Sequence, residues 1–106
     1  MRKERFLWRR NEDHEKQFYS LDSQIWQEGA LSRKTKELLG LVASLVLRCD
    51  ECVTYHLIRC HREGVTSKEL AEALSIGLLI GGSIAIPALR RAFGAWDELV
   101  EGKEKG

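Results

Sequence analysis

One proline in 106 residues, and no segment in which apolar and polar residues alternate with a period of two, leave little room for β-structure or for a linker-rich chain. Neither sign of charge is in excess: Lys plus Arg number 17 against 16 Asp plus Glu, a formal net charge of +1. That balance gives no electrostatic reason to expect nucleic acid or an anionic membrane as a partner. The longest stretch without charge, ALSIGLLIGGSIAIPAL over residues 73–89, falls short of the ~20 residues a membrane-spanning helix needs. Gly81, Gly82, Ser83 and Pro87 also interrupt it. The N-terminal MRKERFLWRRNEDHE alternates charges and lacks the apolar centre of an export signal. Three cysteines are an odd number, and Cys49 and Cys52 lie too close together to staple distant elements, so a disulfide framework is excluded. A cytoplasmic setting is the expectation, and there a C-x-x-C pair is more often catalytic or metal-binding than structural.

What is present is a globular balance of 43% hydrophobic and 31% charged residues, enough for one domain over residues 1–106 with its own core. The apolar positions recur at helical spacing throughout, so the chain reads as all-α, a compact domain of about five to six helices. Residues 1–10 form a short arm around Phe6, Leu7 and Trp8 that can dock on another element. Asn11 is the expected cap of a first helix with Phe18, Leu21 and Ile25 on one face, ending at Gly29. Ser32 caps a second, from Arg33 to Arg48, with Leu38, Leu41, Val42, Leu45 and Val46 as a broad apolar face. Asp50 is read as the cap of a third, carrying Val53, Leu57 and Cys60 and ending at Gly64. Ser67 opens the next, and the last starts near Pro87, runs Leu89, Phe93, Trp96 and Val100 along one face, and gives way to the charged tail at residues 101–106. A small domain has little material to cover the run over 73–89 on every side, which predicts a subunit interface there.

The chemistry-bearing residues concentrate in ELLGLVASLVLRCDECVTYH, Glu37 to His56. In a helix, Cys49, Cys52 and His56 fall at i, i+3 and i+7, on one face. A thiol reacts as its thiolate, and a helix start together with Arg48 favours an anion there, while Asp50 and Glu51 oppose it. His56, four residues after Cys52, is placed to act as base or cationic partner, and Cys49 to resolve a sulfenic acid on Cys52. Glu37 joins them only if the chain reverses near Cys49 and Asp50, or if a neighbouring subunit brings it in. After such a turn Glu37 stands ~18 Å and His56 ~10 Å from the reversal, an offset left for the side chain and one bridging water to close.

The pattern E-x11-C-x2-C-x3-H, formed by Glu37, Cys49, Cys52 and His56, resembles the signature of AhpD-like alkylhydroperoxidases in the carboxymuconolactone decarboxylase family. The resemblance covers Glu37 through His56. It implies an all-helical fold assembled as a homo-oligomer, trimer or hexamer, and reduction of organic or hydrogen peroxides with no cofactor and no metal. It also implies that Cys52 attacks the peroxide, that Cys49 donates a proton and resolves, and that His56 and Glu37 relay protons through water. A thiol or dithiol protein would serve as reductant. Where larger members carry a His before the second cysteine, this chain has Glu51. Decarboxylase members lack the paired cysteines, which makes lactone decarboxylation the lesser reading.

Blander readings stand beside these. Cys49 and Cys52 can be small packing residues, His56 a capping histidine, and Glu37 a surface acid pairing with Arg33. Cys60 and His61 are expected to be structural. Cys49, Cys52, His56 and Cys60 are also zinc-type ligands, but on one helix Cys49 and Cys60 lie about 16 Å apart, too far for one ion. A three-ligand site in a metal-binding or redox-sensing module, and a helical scaffold without chemistry, remain the alternatives.

Overall fold

In a computed structural model of the chain the backbone is described for residues 2–105 and the side chains for residues 12–102. Five α-helices and one short 3-10 turn account for the secondary structure, with no strand among the described residues. They are α1 Arg2–Ile25, α2 Arg33–Leu47, α3 Asp50–Arg62, α4 Ser67–Gly81 and α5 Ile86–Lys105, with the 3-10 turn at Ser83–Ala85. The all-α expectation and the number of helices hold. The chain divides into two units, residues 1–30 and residues 31–106.

The first unit is α1 and the turn after it. The helix does not start at Asn11 as its capping preference suggests; it runs through that position from Arg2. Residues 2–10 contain neither Gly nor Pro and include several good helix formers, so nothing local stops it. The docking expected of residues 1–10 rests on side chains outside the described residues. Near its C-terminus the Trp26 indole N–H donates to Asp22 Oδ1 at 2.7 Å, and Phe18, Tyr19, Leu21 and Ile25 are exposed.

The second unit holds the core. Leu41 and Leu45 of α2 meet Val53, Leu57 and Cys60 of α3, Leu70 and Leu74 of α4, and Ala88, Ala92 and Trp96 of α5. Each of these fully buried leucines contributes about 2 kcal/mol by leaving water. The expected face of α2 holds, with Leu41 and Leu45 buried and Leu38, Val42 and Val46 half-buried, while Leu39 and Leu47 are exposed within this chain. Gly77 is where α4 comes closest to α2; a Cβ there would meet Leu45 Cδ2 at 2.9 Å.

The helix ends are set by side-chain caps. Ser32 Oγ accepts the Thr35 N–H at 3.1 Å, as expected for α2. α4 opens at Ser67, as expected, and its cap is Thr66. Thr66 Oγ1 accepts the Glu69 N–H at 3.1 Å while Glu69 Oε1 accepts the Thr66 N–H at 2.9 Å, a reciprocal capping box. Ser67 instead accepts the Trp96 indole N–H at 2.9 Å, tying α5 to the start of α4. Lys34 Nζ reaches Glu69 Oε2 at 2.9 Å. The Thr66 amide and then Lys34 hold the Glu69 carboxyl below its ordinary value. The uncharged run over 73–89 breaks at Gly82, where φ is 75°, and passes through the 3-10 turn into α5.

Candidate active site

Two residues, Arg48 and Cys49, join α2 to α3. Arg48 sits in the left-handed region at φ 59° and ψ 36°, with its N–H on Leu45 O and that of Cys49 on Ser44 O at 3.2 Å. This is the bonding of a Schellman ending, and it reverses the chain. Cys49, extended at φ −94° and ψ 98°, then caps α3, its Sγ accepting the Cys52 N–H at 3.3 Å. The expected cap, Asp50, is the first helical residue instead. Sulfur is outside the usual set of cap acceptors, which is why composition points one residue too far. Asp50 accepts from Arg91 Nη2 at 3.1 Å, an exposed link from α3 to α5.

The helix start therefore treats the two sulfurs differently. Cys49 Sγ occupies the place where an amide donor and the helix dipole meet an acceptor. Cys52 is exposed. Its thiol is pushed above its ordinary value, first by the Cys49 side chain beside it, then by desolvation and the charges of Cys49 and Glu51, against the pull of its own backbone amide. A thiol held up in this way needs a base before it can act as a nucleophile.

On the same face of α3 lies His56. Its Nδ1 is 3.0 Å from Glu37 Oε2, the imidazole 12% and the carboxylate 1% exposed. Glu37 is thus no surface acid. The sequence estimate of a water-bridged offset is corrected: the carboxylate and the imidazole bond directly. That estimate treated α2 and α3 as rods lying side by side, and the packed helices bring positions 37 and 56 level. An ionised carboxylate can only accept, so with Glu37 ionised Nδ1 is the donor of this bond.

A residue that sequence reasoning passed over completes the cluster. Arg59 Nε lies 3.3 Å from Glu37 Oε1. Its guanidinium sits 5.9 Å from the centre of the Tyr55 ring, and that ring meets the His56 imidazole edge-on at 5.2 Å. Positions 49, 52, 56 and 59 continue one helical stripe, so a cation one turn past the histidine was the available signal. Cys60 is fully buried in the core, and His61 packs edge-on to Trp96 at 5.6 Å. Among the described residues no group of three or more His, Cys, Asp or Glu side chains is arranged to hold a metal ion.

Residues 12–98 match the model of the carboxymuconolactone decarboxylase family, and the chain belongs to that family. A crystal structure of a family protein from Thermotoga maritima, for which a part in the antioxidative response has been suggested, superposes with a TM-score of 0.85 at 55% identity. The match covers 88% of this chain and 96% of that one. A family protein from Legionella pneumophila, solved in its apo form, gives 0.79 at 27% identity over 85% of this chain and 80% of its own. An uncharacterised protein of Cupriavidus necator is 32% identical over 69% of this chain and 65% of its own length. Uncharacterized protein 4 in the cox locus of Paracoccus denitrificans is 27% identical over 77% and 74%.

Proposed function

We propose that this protein is an AhpD-like thiol peroxidase that reduces organic or hydrogen peroxides through a Cys49–Cys52 dithiol cycle. The observation that carries the reading is the buried Glu37–His56 pair, on the helix face of an exposed C-x-x-C thiol and within two turns of its cap. Burying a carboxylate against an imidazole is costly, and a scaffold has no use for it. The Thermotoga relative's suggested part in the antioxidative response agrees with this reading.

In the cycle, the His56 imidazole takes the Cys52 proton. The thiolate attacks one peroxide oxygen; an S–O bond forms, the O–O bond breaks, and the alkoxide leaves as alcohol with the proton from His56. The Cys49 thiol then attacks the Cys52 sulfenic sulfur, forming the disulfide and releasing water. Two thiols have lost two electrons to one peroxide. An external dithiol, delivered by a partner protein, returns them by thiol–disulfide exchange, chemistry at home in the reducing cytoplasm. Among the described residues no helix is long and apolar enough to cross a membrane.

Thiol titration of the native protein before and after one equivalent of peroxide tests this directly. The expected result is loss of two thiols, with mass spectrometry locating a Cys49 to Cys52 bridge, and loss of dithiol-dependent peroxide consumption in Cys52→Ser. Stoichiometric zinc without turnover would instead establish a metal-binding module. Cysteines inert to thiol reagents in the folded protein would leave only a scaffold.

The proposed working form is a homo-oligomer, trimer or hexamer. Ile76, Leu79 and Ile80 of α4 and Ile84 of the following turn are 59–81% exposed in the single chain. Monomeric proteins rarely leave so much apolar surface wet.

A further inference from the structure

Cys52 is exposed while Cys49 is half-buried, so Cys52 is the sulfur that an incoming molecule meets. Of the charges that act on it, the one from outside the thiol pair is the Glu51 carboxylate, and it is negative. The neighbouring Asp50 is answered by Arg91 Nη2 at 3.1 Å. Glu51 is also exposed and forms no ion pair among the described residues. Its charge therefore stands open to solvent, one position before the reactive sulfur. Arg48, the nearest cation along the chain, adjoins Cys49 instead.

We infer that Glu51 is a specificity-determining residue: it selects the thiol partners of Cys52 by charge, favouring a reductant with a cationic group beside its sulfur and turning away one with an anionic group. This role rests on the peroxidase reading, whose reductant it characterises, but its test does not. The species that opens a disulfide is a thiolate, itself an anion. Its sulfur attacks Cys52 Sγ; a new S–S bond forms, the Cys49–Cys52 bond breaks, and Cys49 leaves as a thiolate that takes a proton. The second thiol of the reductant then attacks the reductant's own sulfur in the mixed disulfide. Cys52 leaves as a thiol, and the reductant, two electrons poorer, leaves as its disulfide. The first approach brings one negative charge up to another, which like-charge repulsion opposes. A cation beside the attacking sulfur offsets that repulsion. Hydrogen peroxide is uncharged, so the oxidative half of the cycle escapes this selection.

Iodoacetamide is neutral and iodoacetate anionic, and both alkylate the same thiolate. The ratio of their rates at Cys52, read by mass spectrometry at one pH, is therefore independent of how much thiolate is present. In folded Glu51→Gln the amide-to-acetate ratio is expected to fall about threefold at low salt, the effect of one unit charge ~6 Å from a reacting atom in water. It should fall further in Glu51→Lys. Adding salt to about 0.5 M should bring the wild-type ratio to that of Glu51→Gln. A ratio unchanged in folded Glu51→Gln, or a change that persists in salt, overturns the inference. In a second arm the Cys49–Cys52 disulfide is formed with diamide and then reduced. Glu51→Gln should speed reduction by anionic mercaptopropionate most, by neutral mercaptoethanol less and by cationic cysteamine least. Equal changes with all three would also overturn the inference. Absence of peroxide turnover in the wild type would count against the peroxidase reading alone, because neither arm uses a peroxide.

Discussion

Cys60 shows what burial does to a single residue in this chain. Burial, followed by the charge of Glu37, pushes its thiol from 9.0 up to about 12, so it stays protonated and out of the chemistry available to Cys49 and Cys52. The consequence for stability has a definite sign. Between those two values the native state keeps the proton while the unfolded chain loses it. Stability is therefore unaffected below pH 9 and falls as pH rises above it, by up to about 1.4 kcal/mol per pH unit from this group. Urea denaturation at pH 8 and pH 10 should show a smaller loss in Cys60→Ala than in the wild type. An equal loss would mean that the thiol titrates alike in both states. Native Cys60 should also resist iodoacetamide until the protein is unfolded.

At the scale of elements, the two-residue junction between α2 and α3 decides whether a site exists. It reverses the chain sharply enough to bring position 37 against position 56, and it seats Cys49 Sγ on the Cys52 amide. The cost is a non-glycine residue at φ 59°, a conformation disfavoured by roughly 1–2 kcal/mol in L-residues. Arg48→Gly relieves that strain but gives the unfolded chain more freedom. A net gain of about 0.5–1 kcal/mol in denaturant unfolding is expected, with no change in the Glu37–His56 bond. A destabilised Arg48→Gly would show that the arginine side chain does more for the fold than its backbone strain costs.

For the whole molecule, the question is what covers α4. Its inner residues Leu70, Leu74 and Gly77 are buried against the rest of the second unit, whereas Ile76, Leu79 and Ile80 face outward. The helix is apolar on both sides, and within the second unit only one side is buried among the described residues. A Leu79→Asp, Ile80→Asp double variant is expected to sediment as a 12.1 kDa monomer, while the wild-type protein sediments at a multiple of that mass. A wild type that already runs as a monomer would remove the oligomer proposal. Leu79 and Ile80 are 81% and 71% exposed in the single chain, so the helical content should survive the change.

The sequence by itself determined the helical class, the α2 cap at Ser32 and most of the core positions, because these follow from local spacing and local capping chemistry. It also carried the four-residue pattern of Glu37, Cys49, Cys52 and His56, since a motif is a matter of residue type and distance along the chain. It placed the start of α4 at Ser67, where the structure has it, and misplaced the starts of α1 and α3. At Asn11 a favourable cap lost to uninterrupted helix formers, and at Cys49 the acceptor was a sulfur. Only the tertiary structure decided that Glu37 is buried on His56 without a bridging water and that Arg59 shares its carboxylate. Each of those depends on two helices meeting at one level, and the register between packed helices is set by side-chain interlocking that spacing along a single helix does not contain.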